Sequence, residues 1–245
     1  MNHLIQHDTI SIAWLKAADY LLRVGGSSYN LIVEIKVPLS EHTLVRSGLD
    51  TILRSKQDQV IETVASTIFP RALYRQGEER TSFYQRFFSI YPLIRRVPDN
   101  RKGTYFGRMV ALDHVCGTGI ENQLEQIIRK YIRHRQEDHT GVVYELPIYQ
   151  PGKDANMTMG FPCMSYISFS SEQDRLNLNA YYRNQYFVKK AYGNYLGLSR
   201  LLAYVCTESG YKIGRLTCTA THATLESGFT QSLRQLIAQN QSFLQ

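Results

Sequence analysis

A thiol that follows a proline at the head of an apolar run is the best nucleophile candidate in this chain. Cys163 stands in GFPCMSYISF, Gly160 to Phe169, where the fixed φ of Pro162 holds the thiol in one direction. Attack at neutral pH needs a thiolate, and a neighbouring Arg or Lys lowers a thiol's pKa. Arg183 closes the next extended segment and lies beside Cys163 if the two segments pair as a hairpin. Taken alone, a Pro-Cys in a strand is more often a buried core thiol. The other polar residues carry similar double readings. His222 in TATHATLE reads as a satisfied strand-end histidine, and Asn194 after Gly193 as a turn residue or a polar helix position.

Several chemistries lack support. No GxGxxG, P-loop or metal-ligand cluster occurs, so NAD binding, ATP hydrolysis and metallohydrolase chemistry are not expected, and no metal site is expected. The four cysteines, Cys116, Cys163, Cys206 and Cys218, show no CxxC or Cys/His spacing, which argues against a disulfide framework and for a cytoplasmic chain with free thiols. The run RKYIRHR at 129–135 is the solvated face of a basic helix or a phosphate site. YYRNQYFVKK at 181–190 interleaves aromatic and basic residues as single-strand binders do, but the basic residues are dispersed and no nucleic-acid motif occurs.

The elements that must position these residues follow from hydrophobic period. Ile10, Trp14, Ala17, Ala18 and Leu21 mark a helix ended by Gly25 and Gly26, before an extended run from Asn30 to Val37. A continuous helical pattern spans Asp50 to Phe69, another Glu79 to Tyr91, and Arg95 to Gly107 is a basic loop. A helix follows at Glu121 to Arg135. Strands are expected at Val142 to Tyr149, Met164 to Phe169 and Leu176 to Tyr182, where LNLNAYY alternates as a sheet with one wet face does. A long helix from Tyr186 to Glu208, a strand from Lys212 to Thr219 and a helix from Thr230 to Gln239 complete the chain. The class is α+β, one large mixed or antiparallel β-sheet flanked by helices.

At 245 residues the chain suits a single domain, 1–245, and 43% hydrophobic with 20% charged residues is the composition of a folded protein. The excess of 28 Lys and Arg over 21 Asp and Glu, net +7, favours anionic ligands. Lys16, Asp19 and Arg23 interrupt the apolar stretch Ile10 to Val24, so neither a membrane span nor a signal peptide is expected.

Read together, the order FPCMSYISFS, LNLNAYYRNQYFVKKAYGNYLGLSRLLAYV and GYKIGRLTCTATHATLE resembles the folate-dependent thymidylate synthase superfamily, most closely its shorter, archaeal-like branch. Pro162-Cys163 corresponds to the family's nucleophile, Tyr182-Arg183-Asn184 to its Tyr-Arg-Ser segment, Asn194 to its helix Asn, and His222 to its His-x-Tyr motif. GTYFGRM at 103–109 is similar to its Tyr-Gly-Arg segment, and NQLEQIIRKYIR to the helix that follows. The resemblance spans about 100 to 226.

It implies a thymidylate synthase-like fold, a homodimer, and one-carbon transfer from 5,10-methylenetetrahydrofolate to C5 of a pyrimidine nucleoside monophosphate, with Cys163 adding to C6. Arg183 would hold the 5′-phosphate and keep Cys163 as thiolate, Asn184 would bond the same phosphate, and Arg108 would join in substrate binding. Asn194 would read O4 and N3-H of uracil, and His222 would bond the sugar or order water. The departures are Asn184 for Ser, Tyr186 for Asp, Phe106 for Tyr with Tyr105 beside it, and Thr224 for the Tyr of the His-x-Tyr motif. The family's paired arginines have only Arg133 and Arg135, or Arg95 and Arg96, as substitutes. Its catalytic Glu has only Glu62 nearby, and the only tryptophan is Trp14. Without an aromatic wall, water can reach the exocyclic methylene. A pyrimidine nucleotide 5-hydroxymethylase is therefore one alternative, and a catalytically silent nucleotide-binding homologue the other.

Overall fold

The computed structural model describes residues 3–113, 120–139 and 141–244; Cys116 lies outside them. Strand β1 (His3–His7) leads into helix α1 (Ile10–Arg23), which returns to β2 (Ser27–Ile35), parallel to β1. Thr9 caps α1 by accepting the Ile12 N–H. The apolar stripe through Trp14, Ala17, Ala18 and Leu21 is fully buried.

Helices α2 (Thr43–Ser55) and α3 (Ile61–Ile68) correct the single helix expected over 50–69. The polar stretch between them turns the chain through Gln57, whose φ is 57°, and the Asp50 carboxylate accepts the Ile61 N–H to start α3 afresh. Helix α4 (Arg80–Ile94), the single turn Pro98–Asn100 and short α5 (Tyr105–Val110) follow. The basic loop expected over 95–107 is thus partly helical, because Thr104 caps α5 by accepting the Gly107 N–H. The two-residue strands β3 (Leu112–Asp113) and β4 (Ile120–Glu121) pair antiparallel, ahead of α6 (Gln123–Gln136).

The remaining chain is β5 (Val143–Pro147), the short α7 (Pro151–Asp154), β6 (Met164–Glu172), β7 (Arg175–Tyr182), β8 (Gln185–Tyr186), a π-helical turn over Phe187–Ala191, α8 (Tyr192–Ser209), β9 (Lys212–Thr224) and α9 (Thr230–Gln239). The result is α+β, with one mixed seven-stranded sheet in the order β1-β2-β9-β7-β6-β5 and β8 pairing the end of β9. β5, β6 and β7 form an antiparallel meander, whereas β7 and β9 run parallel, joined by α8 as a parallel crossover requires. The sheet therefore also takes in the extended run expected at 30–37, as part of β2, and β1, which was not expected. β1 and β2 extend the sheet from the N-terminal segment, and β9 continues to Thr224 because β2 and β8 pair its far end. Along β7, Leu176, Leu178, Ala180 and Tyr182 are buried against the helices, while Asn177, Asn179 and Tyr181 face away. No helix among the described residues is long and apolar enough to cross a membrane.

Helix α8 lies between the sheet and α3, and is buried nearly all round. Gly193 and Gly197, one turn apart, make the second contact possible. A Cβ on Gly193 would lie 2.6 Å from Val64 Cβ, and one on Gly197 would lie 2.7 Å from the Ala65 carbonyl oxygen. The second obstacle is backbone, so no side-chain rotation relieves it. Gly197→Val is expected to lower the unfolding free energy by about 1–3 kcal/mol through overpacking, measured by urea unfolding. An unchanged midpoint and slope would mean that α3 does not press on α8 as described.

Candidate functional site

A cleft of about 590 Å³ opens where the β6 and β8 ends, α3, the 98–105 segment and the start of α8 converge. Its lining includes Cys163, Asn184, Gln185, Lys190 and Asn194 from the C-terminal half, and Gln59, Arg101, Lys102 and Tyr105 from the N-terminal half. The charge on its wall is uneven. Arg101, Lys102, Arg108 and Lys190 face a single carboxylate, Asp99, among the described residues. An anion is the ligand such a wall favours.

β6 and β7 do pair as a hairpin, Met164 opposite Tyr182, and the Arg183 N–H donates to the Cys163 carbonyl at 2.9 Å. The Arg183 guanidinium carbon lies 3.7 Å from the Phe161 ring centroid, a close cation–π stack. Its N–H groups donate at 3.3 Å to the Phe161 and Pro162 carbonyls. Arg183 thus backs the 161–163 segment without itself lining the cleft. The expected thiolate does not follow from this arrangement alone. Burial pushes the Cys163 thiol up, and Arg183 and Lys190 pull it down only in part.

Asn194 lines the cleft with 4% of its surface exposed, and among the described residues its side chain has no hydrogen-bond partner. A carboxamide on the cleft wall both donates and accepts, so a ligand bonded to it gains direction. Gln185, also lining the cleft, is 2% exposed; its Oε1 accepts from the Tyr195 hydroxyl while its Nε2 is unpaired. Lys190 projects from the π-helical turn, a feature concentrated at functional sites. Its Nζ donates to Gln59 Oε1 at 2.7 Å, and Gln59 Nε2 donates to Asp99 at 2.8 Å. Glu226 holds the turn in place by accepting the Val188 and Lys189 N–H groups at 3.0 and 2.8 Å. Neither Gln185 nor Lys190 was singled out from sequence. The available signal was the four-residue step from Lys190 to Asn194, which puts both on one helix face.

Asn184 lines the cleft, and its Oδ1 accepts from His222 Nδ1 at 2.9 Å. His222 packs against Tyr29 and reaches the cleft only through Asn184. Arg108 borders the cleft, but its guanidinium is spent inside the fold. It makes a bidentate pair with buried Asp154 at 2.6 and 3.0 Å and donates to the Lys102 and Ile148 carbonyls. Burial pushes the Asp154 carboxyl up, but bonds from Arg108 and the Gln150 N–H outweigh it and hold the group below the usual range. Arg108 therefore anchors the 102–108 wall. Of the neighbouring aromatics, Tyr105 lines the cleft, whereas Phe106 is buried against Phe69, Phe83 and Phe87.

Other residues weighed from sequence lie elsewhere. Trp14 is a core residue whose indole donates to the Phe187 carbonyl. Glu62 pairs with Arg46 and Arg200 on the outer side of α3. Arg95, Arg96, Arg133 and Arg135 are exposed and do not line the cleft. The grouping with metal-ligand chemistry among the described residues, His134, Glu137 and His139 at the end of α6, is also outside it. In comparisons with protein families and with curated proteins, the chain matches none.

The balance at Cys163 has a measurable consequence. The thiolate is the charged form that burial disfavours, so the rate of iodoacetamide alkylation at the Cys163 peptide is expected to keep climbing above pH 9, without a plateau below pH 8. A plateau near pH 7, read by peptide mass spectrometry across a pH series, would show that the cations prevail over burial.

Proposed function

We propose that the cleft binds a uridine-type nucleoside 5′-monophosphate, and that Cys163 adds to C6 of its base for one-carbon transfer to C5, as in the thymidylate synthase superfamily that the sequence resembles. The observation that carries this reading is the convergence of Cys163, Asn184 and unpaired Asn194 on one cation-rich cleft. In this scheme Asn194 pairs with O4 and N3-H of uracil, whose donor and acceptor a carboxamide complements. Asn184, fixed by His222, bonds the phosphate side, while the Arg183 guanidinium, held by the Phe161 and Pro162 carbonyls, backs the segment that carries Cys163. As Cys163 Sγ bonds C6, the C5=C6 electron pair makes C5 nucleophilic.

5,10-Methylenetetrahydrofolate supplies the one-carbon unit when bound. The apolar surfaces of Val64, Pro98 and Phe161 and the exposed Arg101 and Lys102 fit an aromatic co-substrate bearing carboxylates. Methylation is the principal reading. The second product, a 5-hydroxymethyl group, is favoured by one observation: Trp14 is in the core, so no tryptophan shields the cleft from water. The same reading makes the chain a cytoplasmic homodimer, with the uncovered sheet face around Tyr166, Tyr181, Thr217 and Thr219 set against a second copy.

The test is tritium release from C5-labelled dUMP, UMP, dCMP and CMP, each with and without methylenetetrahydrofolate, with mass analysis of the product. Release from a uracil nucleotide and a gained methyl or hydroxymethyl group are expected. Cys163→Ala should abolish release and keep nucleotide affinity within about tenfold, because addition follows binding. Full release by that variant would remove Cys163 as nucleophile, and none from any nucleotide with wild-type protein would leave a silent homologue.

A further inference from the structure

We infer that Lys190 is the catalytic group that carries the proton to and from C5 of the bound base, an assignment that rests on Cys163 adding to C6 of a uracil ring in this cleft. Proton transfer at C5 is unavoidable in that chemistry, because the C5 hydrogen must leave before the sulfur can be expelled from a substituted base. The groups on the cleft wall narrow the choice. Asp99 is exposed and accepts from Gln59, and Glu62 is tied to Arg46 and Arg200 away from the cleft. The guanidinium groups of Arg101 and Arg108 do not give up a proton near neutrality. Burial pushes the Tyr105 hydroxyl far up, so it remains protonated. Lys102 is exposed and turned toward the Met159 carbonyl.

Lys190 differs in position and setting. It stands one helical turn before Asn194 on the same side, and both line the cleft with Cys163. If Asn194 holds O4 and N3 while Cys163 holds C6, the ring atom between those contacts is C5. Gln59 aims the Lys190 nitrogen, Asp99 in turn orients Gln59, and Glu226 fixes the backbone of the π-helical turn from which Lys190 projects. The charged groups around it are Asp99, Asp58 and Glu226, which favour its protonated form, and Lys189, which opposes it; Asp58 is itself paired with Lys189 at 3.0 Å. Burial is the largest influence and brings the ammonium below its ordinary range, which makes its proton easier to give.

The step balances without any co-reactant. Cys163 thiolate bonds C6 while the C5=C6 electron pair takes a proton from the Lys190 ammonium, leaving a neutral amine and a 5,6-dihydro adduct. In reverse, the amine removes a proton from C5, the C5–H pair restores the double bond, and sulfur leaves as thiolate. In D2O the C5 hydrogen is exchanged in those cycles in which the amine removes the original hydrogen of the dihydro adduct and leaves the deuteron it delivered.

The experiment follows loss of the H5 proton resonance of dUMP in D2O, without folate, for wild type, Cys163→Ala, Lys190→Met and Lys190→Arg, with dUMP affinity measured by calorimetry. Wild type is expected to exchange and Cys163→Ala is not. Lys190→Met should bind dUMP within about tenfold of wild type yet exchange at least about 100-fold more slowly at saturation. Lys190→Arg keeps the charge and should be similarly slow. Exchange by Lys190→Met and Lys190→Arg within about threefold of wild type would overturn the assignment while leaving Cys163 in place. A loss confined to affinity, with the saturated rate unchanged, would overturn it by making Lys190 an anion ligand only. If wild type binds no dUMP, or binds it without exchange, the nucleotide reading itself fails and the assignment with it.

Discussion

Helix α3 approaches α8 closely across Gly193 and Gly197, and the cleft depends on that approach. With any side chain at those positions the helices would stand further apart, since a Cβ there meets Val64 and the Ala65 carbonyl at less than 3 Å. The close approach brings Val64, Thr67 and the preceding Gln59 to the same cavity as Lys190 and Asn194. It also leaves α8 nowhere to shift, because its opposite side is packed on β7 and β9. Residues on such a helix are held as rigidly as the core itself, which is what orienting a flat base requires.

Around that rigid helix, charge is distributed so that the cleft wall favours an anion. Arg108 is neutralised by Asp154 and locks the wall, while Arg101, Lys102 and Lys190 remain on the lining with Asp99 as their counterpart. Cys163 sits in the same field, yet burial raises its thiol more than Arg183 and Lys190 lower it. A half-buried thiol with its pKa raised is mostly protonated near neutrality, which slows its oxidation and alkylation. The buried, unpaired Nε2 of Gln185 is a cost that a polar ligand repays.

The helices with a clear apolar stripe, Ile10–Arg23, Arg80–Ile94 and Gln123–Gln136, were legible in the sequence because local burial repeats with the helical period. The β6–β7 hairpin was legible because alternation and a short turn are local too. What escaped was non-local or carried by single residues. β1 is held by pairing with β2 across the intervening helix. The break at 56–60 rests on one left-handed residue and one carboxylate cap. The π-helical turn leaves no mark on hydrophobic period, so Lys190 read as one of the dispersed basic residues among the aromatics of 181–190. At the site, the proximity of Cys163 and Arg183 was foreseen from the hairpin, whereas the commitment of Arg108 to Asp154 was not, because the pair joins segments that share no local pattern.

The central claim is that a uracil nucleotide bound in this cleft is joined to Cys163. Incubation with 5-fluoro-dUMP and methylenetetrahydrofolate tests it directly, because fluorine at C5 cannot leave as a proton and so arrests the adduct. The account predicts the combined mass of nucleotide and methylenetetrahydrofolate on the Cys163 peptide, absent in Cys163→Ala. An unmodified protein, or a nucleotide on any other residue, would contradict it.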